Sequence, residues 1–304
     1  MSAWKRALDA AGIREPELRS DYDAQRRLVA RERRSSYLAA RVLLPRPVLP
    51  HVVAATAVIH RGDDLLDTGP KPQRVAAWAS WERRLREALE KGVAEDPPIR
   101  AFLHTMTAYP RLGEATEEYL ATATAELEFT GFATEADFQA YVDAYSLPAF
   151  MLVGTLLGPE SGDARYRSLC RTLIEGSQRL DFVNDLAEDL PEGRLGIPAE
   201  TLRRFSLTPQ DLTAGQASPG LRDLVNDQLH AARTALEAAR ELPALAAPTG
   251  RALLSAVIEI ELLTADAAAA RGTGLLNGSA SPPLPGTLRV LRNARKLRTG
   301  SRPR

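Results

Sequence analysis

Apolar residues along this chain recur at every third or fourth position, a period that a helix satisfies and a strand does not. Val75, Trp78, Leu85 and Leu89 keep that spacing after Pro72, and Leu221, Leu224, Val225, Leu229 and Leu236 repeat it. Tyr22 to Leu44, rich in Ala, Leu and Arg, reads the same way. Leu253 to Leu263 is apolar almost all round, interrupted by Glu259 and Glu261, as expected of a helix buried in a bundle. No β-branched or aromatic run alternates strictly, so sheet content is expected to be close to nil. The fold class is therefore all-α. Proline and glycine clusters at Pro45–Pro50, Gly69–Pro72, Pro97–Pro98, Pro110–Gly113, Gly158–Gly162, Pro191–Pro198 and Pro243–Gly250 mark the turns.

One helical domain over residues 1–276 is the expected organisation, because the pattern changes little along the chain. Residues 277–304 read as a Pro/Gly linker with a basic C-terminal tail that carries Arg289, Arg292, Arg295, Lys296, Arg298, Arg302 and Arg304. That tail is read as solvated, with a short helix lying on anionic lipid as the alternative.

Charge and cysteine content narrow the function classes. Lys+Arg and Asp+Glu balance at 39 each, so no general field gathers nucleic acid, and 44% hydrophobic residues exclude a disordered chain. The single Cys170 leaves no intramolecular disulfide framework, and four scattered histidines give no Cys/His zinc pattern. A cytoplasmic location is expected. Met1 to Asp21 contains no apolar signal core, and no window reaches about eighteen uninterrupted apolar residues.

Two acidic clusters stand out. In His60-Arg-Gly-Asp63-Asp64-Leu-Leu-Asp67, Asp63 and Asp67 are one helical turn apart on one face. In Gln178-Arg-Leu-Asp181-Phe-Val-Asn184-Asp185-Leu-Ala-Glu188-Asp189, three carboxylates at 181, 185 and 189 form a stripe over two turns. Like charges at that spacing repel by a few tenths of a kcal/mol per pair, so a cation is expected beside them. Two such helices facing each other would ring one cavity with carboxylates, a ligand set for a hard cation such as Mg²⁺, which keeps waters and recruits a substrate phosphate. The chemistry this favours is ionisation of an allylic diphosphate: the metal stabilises the leaving group while apolar walls keep water from the carbocation.

From Ser35 to Pro198 the sequence resembles the squalene/phytoene synthase family. Ser35-Ser-Tyr-Leu-Ala-Ala-Arg41-Val-Leu-Leu-Pro45 is similar to its N-terminal Ser-Phe-Tyr-Leu-Ala…Arg-Leu-Leu-Pro segment, with one extra residue. Asp63-Asp64-Leu-Leu-Asp67 matches its first Asp-rich motif. Asn184-Asp185-Leu-Ala-Glu-Asp189 followed by Glu192-Gly-Arg194-Leu-Gly-Ile-Pro198 matches its second, with the Gly-Arg-x-Tyr-Leu-Pro follow-on. Glu126, Glu128 and Tyr141 fall where the family has an acidic residue and a Tyr entering the central helix. The resemblance implies a helical bundle of the isoprenoid synthase type and prenyltransferase activity. It implies Mg²⁺ held by Asp63, Asp67, Asp185 and Asp189, and diphosphate contacts from Ser35, Arg41, Gln178, Asn184 and Arg194.

Departures from the family pattern shape a more specific expectation. His60 stands where the family has Arg three residues before the first Asp, Asp181 stands where it has Asn, Gly196 replaces the loop Tyr, and Ser36 the N-terminal Phe. Leu147 and Phe150 replace central-helix glycines and should shorten the cavity, with Tyr37 and Tyr141 also lining it. Losing phosphate partners weighs most on head-to-head condensation, which binds two diphosphates at once. The expected reaction is therefore transfer of a short prenyl group, such as dimethylallyl, to carbon of an aromatic natural-product acceptor such as a carbazole, with His60 or Asp181 as proton acceptor. Head-to-head condensation of two prenyl diphosphates is the alternative, and a decayed, non-catalytic partner or lipid-binding subunit is the reading from another class. Trp78, Trp81 and Cys170 are read as packing residues.

Overall fold

The computed structural model describes residues 2–215 and 218–300. Seventeen α-helices follow one another among these residues, with no strand. The first half comprises α1 (Ala3–Ala10), α2 (Pro16–Glu32), α3 (Arg34–Leu43), α4 (Leu49–Asp67), α5 (Lys71–Lys91), α6 (Pro97–Ala108), α7 (Leu112–Thr122), α8 (Glu135–Tyr141) and α9 (Leu147–Leu157). The second comprises α10 (Ala164–Asn184), α11 (Leu186–Asp189), α12 (Ala199–Arg204), α13 (Pro209–Ala214), α14 (Pro219–Ala238), α15 (Leu242–Leu245), α16 (Arg251–Arg271) and α17 (Leu284–Gly300). The periodic segments at Lys71–Lys91, Pro219–Ala238 and Arg251–Arg271 are helices, as their spacing predicts. Trp78, Trp81 and Cys170 are core residues.

Three helices enclose the functional end. α4 buries Leu49 to Val58 almost continuously, because it is packed by α2, α6 and α9 together. α9 runs between α4, α7 and α10, and α10 lies along α14. The helical path Glu135–Leu157 is long and apolar enough to cross a membrane, but 67% of its most apolar window is buried by the rest of the fold.

Local breaks differ from the sequence expectation at three places. Tyr22–Leu44 is two helices, split at Arg33, whose backbone leaves the helical region at φ −126°, ψ 51°. The carboxylate stripe at 181, 185 and 189 is bent, since α10 ends at Asn184 and Asp185 (φ −100°, ψ 16°) joins it to the one-turn α11. Residues 278–300 are docked, unlike a linker and solvated tail. Asn184 clamps the backbone of Ala280 from both sides, and α17 packs on α16 and α3 with Ala294 buried. Small side chains and prolines in this stretch give close approach rather than flexibility. Arg302 and Arg304 of the expected tail lie outside the described residues.

Candidate active site

The first acidic cluster occupies the C-terminal end of α4 and the second the C-terminal end of α10. Peptide dipoles make a helix C-terminus electronegative, and neither helix carries a basic residue in its last turn. Carboxylates at such positions raise the negative potential of both ends, which only outside cations can relieve.

Arginines from elsewhere enter this field. Arg33, at the α2–α3 break, lies 3.9 Å from Asp63 Oδ2, and its charge also acts on Asp181. Arg194, on the loop after α11, donates to Glu126 Oε1 at 2.7 Å, lies 4.0 Å from Asp67 Oδ1 and acts on Asp189. The charge of each guanidinium thus acts on a carboxylate of each cluster, which links the two clusters electrostatically. Arg74 donates to the Leu66 carbonyl at 2.6 Å, capping the end of α4.

Burial dominates the acid–base state of the carboxylates. It raises Asp63 above the ordinary carboxylate range, against a hydrogen bond from Tyr145 and the nearby Arg33. Burial raises Asp67 too, helped by a carboxyl–carboxylate contact with Glu126. Asp181 is pushed up to about 6, by burial and then by Asp185. Asp189 reaches about 6 by burial, which outweighs the attraction of Arg194. Asp185 is raised by burial and by Glu188. Acids held this far above their normal values carry uncompensated charge when ionised. A divalent cation would relieve it, and the donors are hard oxygens. Among the described residues no three His, Cys, Asp or Glu side chains close into a cation-sized cluster, so a metal here would complete its shell with water and substrate phosphate, as Mg²⁺ does.

Tyrosines furnish the inner wall. Tyr145 Oη donates to Asp63 Oδ1 at 2.6 Å, and Tyr141 Oη donates to Glu126. Tyr145 lies in a π-helical turn, Val142–Ser146, that separates α8 from α9. Pro148 follows two residues after the turn; its ring removes an amide donor and disfavours a regular α-turn just upstream. Gly62 admits Tyr119, whose hydroxyl oxygen lies 2.0 Å from where a Cβ would stand. The Tyr119 hydroxyl is buried without a partner among the described residues, and the charges of Asp63, Asp67 and Glu126 act on it.

Phe182 occupies the space a side chain at Gly196 would need: a Cβ there would lie 2.0 Å from its ring. Its ring stacks on Phe129 at 5.8 Å between centroids and meets Phe132, Phe138 and Tyr141. Arg194 lies 5.0 Å over the face of Phe129, so the aromatic wall continues to the acidic mouth.

Comparison with known proteins identifies the architecture. Residues 29–284 match the family described as squalene/phytoene synthase. The chain belongs to this family, whose members are prenyltransferases. It is 30% identical over 227 residues to the bifunctional protein CrtB/UppS of Streptomyces coelicolor, covering 74% of this chain but 40% of that protein. It is 28% identical over 222 residues to the phytoene synthase of Thermus thermophilus, covering 67% of this chain and 68% of that one. A dehydrosqualene synthase crystal structure superposes with a TM-score of 0.82 at 21% identity, over 93% of this chain and 98% of that chain. Squalene synthase HpnC from Alicyclobacillus acidocaldarius does so with 0.75 at 24% identity, over 89% and 99%. The fold is thus the all-α isoprenoid synthase fold.

Not every residue singled out by the squalene/phytoene synthase motifs meets the aspartates. Asn184 does, donating to Asp185 Oδ1 at 3.2 Å while also pairing with the backbone of Ala280, whereas Gln178 accepts from Ser146 at 2.9 Å. Ser35 is exposed at the start of α3. Arg41 and Tyr37 line a separate groove in which none of the candidate metal-binding aspartates appears. Leu147 is buried and Phe150 half-buried in the core. His60 Nε2 is 4.0 Å from Asp64, while its Nδ1 is buried without a partner among the described residues. Glu128 pairs with Lys71 at 2.8 Å. Sequence reasoning missed Arg33, Tyr145, Tyr119 and Phe182. It also missed Glu261 of α16, pushed up to about 7 by burial and by Asp181.

Proposed function

We propose that this chain condenses two prenyl diphosphates head to head, releasing diphosphate, as the names of its phytoene synthase relatives favour. The observation that carries the proposal is the pair of arginines between the clusters. The expectation of an aromatic acceptor rested on lost phosphate partners, and Arg33 supplies a cation beside Asp63 that the motif alone lacks. Arg194, beside Asp67 and Glu126, adds a second cation, so the site offers one positive group for each of two diphosphates.

Asp63 and Asp67 on one wall, and Asp185 and Asp189 on the other, would hold Mg²⁺. When bound, the metal stabilises the departing pyrophosphate. Tyr145 keeps Asp63 oriented, and Glu126 keeps Arg194 aimed at the mouth through their 2.7 Å contact. Phe129, Phe182, Tyr141 and Tyr145 present an aromatic wall next to the mouth, which excludes water and whose π faces stabilise a carbocation.

Transfer to an aromatic acceptor keeps one supporting observation: the loop Tyr of the family is absent at Gly196, and the ring of Phe182 occupies its place. Incubation with Mg²⁺ and farnesyl or geranylgeranyl diphosphate, with and without a carbazole, separates the two. A hydrocarbon or cyclopropyl product built from two prenyl units supports condensation. Product only when the carbazole is present would replace it with aromatic prenylation.

A further inference from the structure

A second recess lies between α1, α2, α3 and α17. It has a volume of about 810 Å³, within the range that holds a ligand of several hundred daltons. Its floor is apolar, with Trp4, Ala7, Leu8, Leu44 and Leu49. Arg19, Arg26, Arg41, Arg46, Arg295 and Arg298 stand around it. Asp23 is the one acidic residue in that lining, and Arg26 and Arg27 already neutralise it.

Three observations point to a ligand. Arg41 and Arg46 have no ion-pair or hydrogen-bond partner among the described residues, so their charge is uncompensated. Trp4 is 9% exposed, and its indole N–H is buried with no acceptor among the described residues. Leu38 and Val42, one turn apart on the outside of α3, are 44% and 37% exposed. They share that helix with Arg34 and Arg41, so leucine-like and arginine side chains alternate on one outer surface. A soluble polyanion would use the arginines and leave the apolar floor unused. An amphiphile uses both.

We infer that this groove binds an anionic phospholipid at a bilayer surface, its phosphate between Arg41 and Arg46 and its upper acyl chain over Trp4, Leu8 and Leu49. The shape and charge fit: apolar floor, cationic rim, and exposed Leu38 and Val42 beside it to enter the interface. Such a contact would hold the chain where long apolar substrates and products reside, while the acidic site is built from other residues.

Flotation with vesicles of phosphatidylglycerol and of phosphatidylcholine tests this on the full chain. Binding is expected to the former only, and to be released by about 0.5 M salt. The Arg41→Glu/Arg46→Glu variant should bind at least about tenfold more weakly, since each basic residue contributes roughly 1 kcal/mol at an anionic surface. Arg203→Glu/Arg222→Glu, an equal charge change at exposed residues outside the groove, should stay within about twofold. Brominated phosphatidylglycerol should quench the fluorescence of Trp4, because Trp78 and Trp81 are 1% and 2% exposed, and Trp4→Phe should abolish that quenching. Equal binding to phosphatidylcholine, equal loss in both double variants, or no quenching of Trp4 would overturn the inference. Displacement from vesicles by millimolar inorganic phosphate would overturn it too, by making the groove a free-phosphate site. Should the Glu variants fail to fold, the salt and quenching arms on the unmodified chain decide alone.

Discussion

Tyr145 Oη donates to Asp63 Oδ1 at 2.6 Å across 82 residues of sequence, tying the π-helical turn of one helical path to the acidic end of another. A hydrogen bond to a charged group contributes about 1.5–3 kcal/mol, and groups that orient metal ligands change metal affinity about 10–100-fold. Tyr145→Phe should therefore raise the Mg²⁺ concentration needed for half-maximal turnover by roughly tenfold, with helix content unchanged. A Mg²⁺ titration of rate alongside circular dichroism checks this; an unmoved Mg²⁺ requirement would remove Tyr145 from the metal-binding wall.

Phe182 and Gly196 are sterically complementary, so their substitutions should not add. Gly196→Ala places a carbon 2.0 Å from the Phe182 ring and should cost about 1–3 kcal/mol, and Phe182→Ala should cost about 3–5 kcal/mol through the void it leaves. In the double variant the new methyl enters that void, so urea unfolding should give a coupling of about 1 kcal/mol or more in the rescuing direction. Strict additivity would show that the two residues do not share the space.

His51 makes a pH-dependent contribution to stability. It is buried in a cluster with Tyr22, His104 and Thr105, and burial, then His104, lowers it from 6.5 to about 4. The unfolded chain takes up a proton as pH falls through 6.5, while the folded chain resists until about 4. His51 therefore withdraws stability between those values, up to about 3 kcal/mol in all, because protonating one group in the unfolded chain alone is worth about 1.4 kcal/mol for each step of one pH. The raised carboxylates act in the opposite direction over the same window, so the readout is the difference between the unmodified chain and His51→Gln. Stability of the variant should fall less from pH 6.5 to 4; parallel curves would contradict the assignment.

Protons and metal compete for the same carboxylates. With Asp181 and Asp189 near 6 and Asp63 and Asp67 also raised, the acidic site is increasingly ionised between about pH 5.5 and 8. The rise in melting temperature produced by Mg²⁺ with pyrophosphate should grow over that range. A rise of constant size would mean that these carboxylates do not hold the metal.

The helical bundle and both acidic helix ends were legible because period and local charge are written in contiguous residues such as Asp63–Asp67 and Leu221–Leu236. What escaped depends on contacts between distant segments. Arg33 reaches Asp63 through a helix break with no glycine or proline to announce it. Phe182 fills the gap at Gly196 only after the loop folds back. Asn184 matches the second motif and donates to Asp185, yet its amide also pairs with the backbone of Ala280, 96 residues later, in a stretch whose composition reads as linker. Arg41 lies one turn from Tyr37 in the N-terminal motif, but that face of α3 looks into the Trp4 groove.

Counting how many diphosphates the chain holds at once tests the central claim most directly. Calorimetric titration with an unreactive thio-analogue of farnesyl diphosphate, in saturating Mg²⁺, should give two molecules bound per chain, falling to one in Arg33→Ala. One molecule bound by the unmodified chain, with Arg33→Ala indistinguishable from it, would contradict the account.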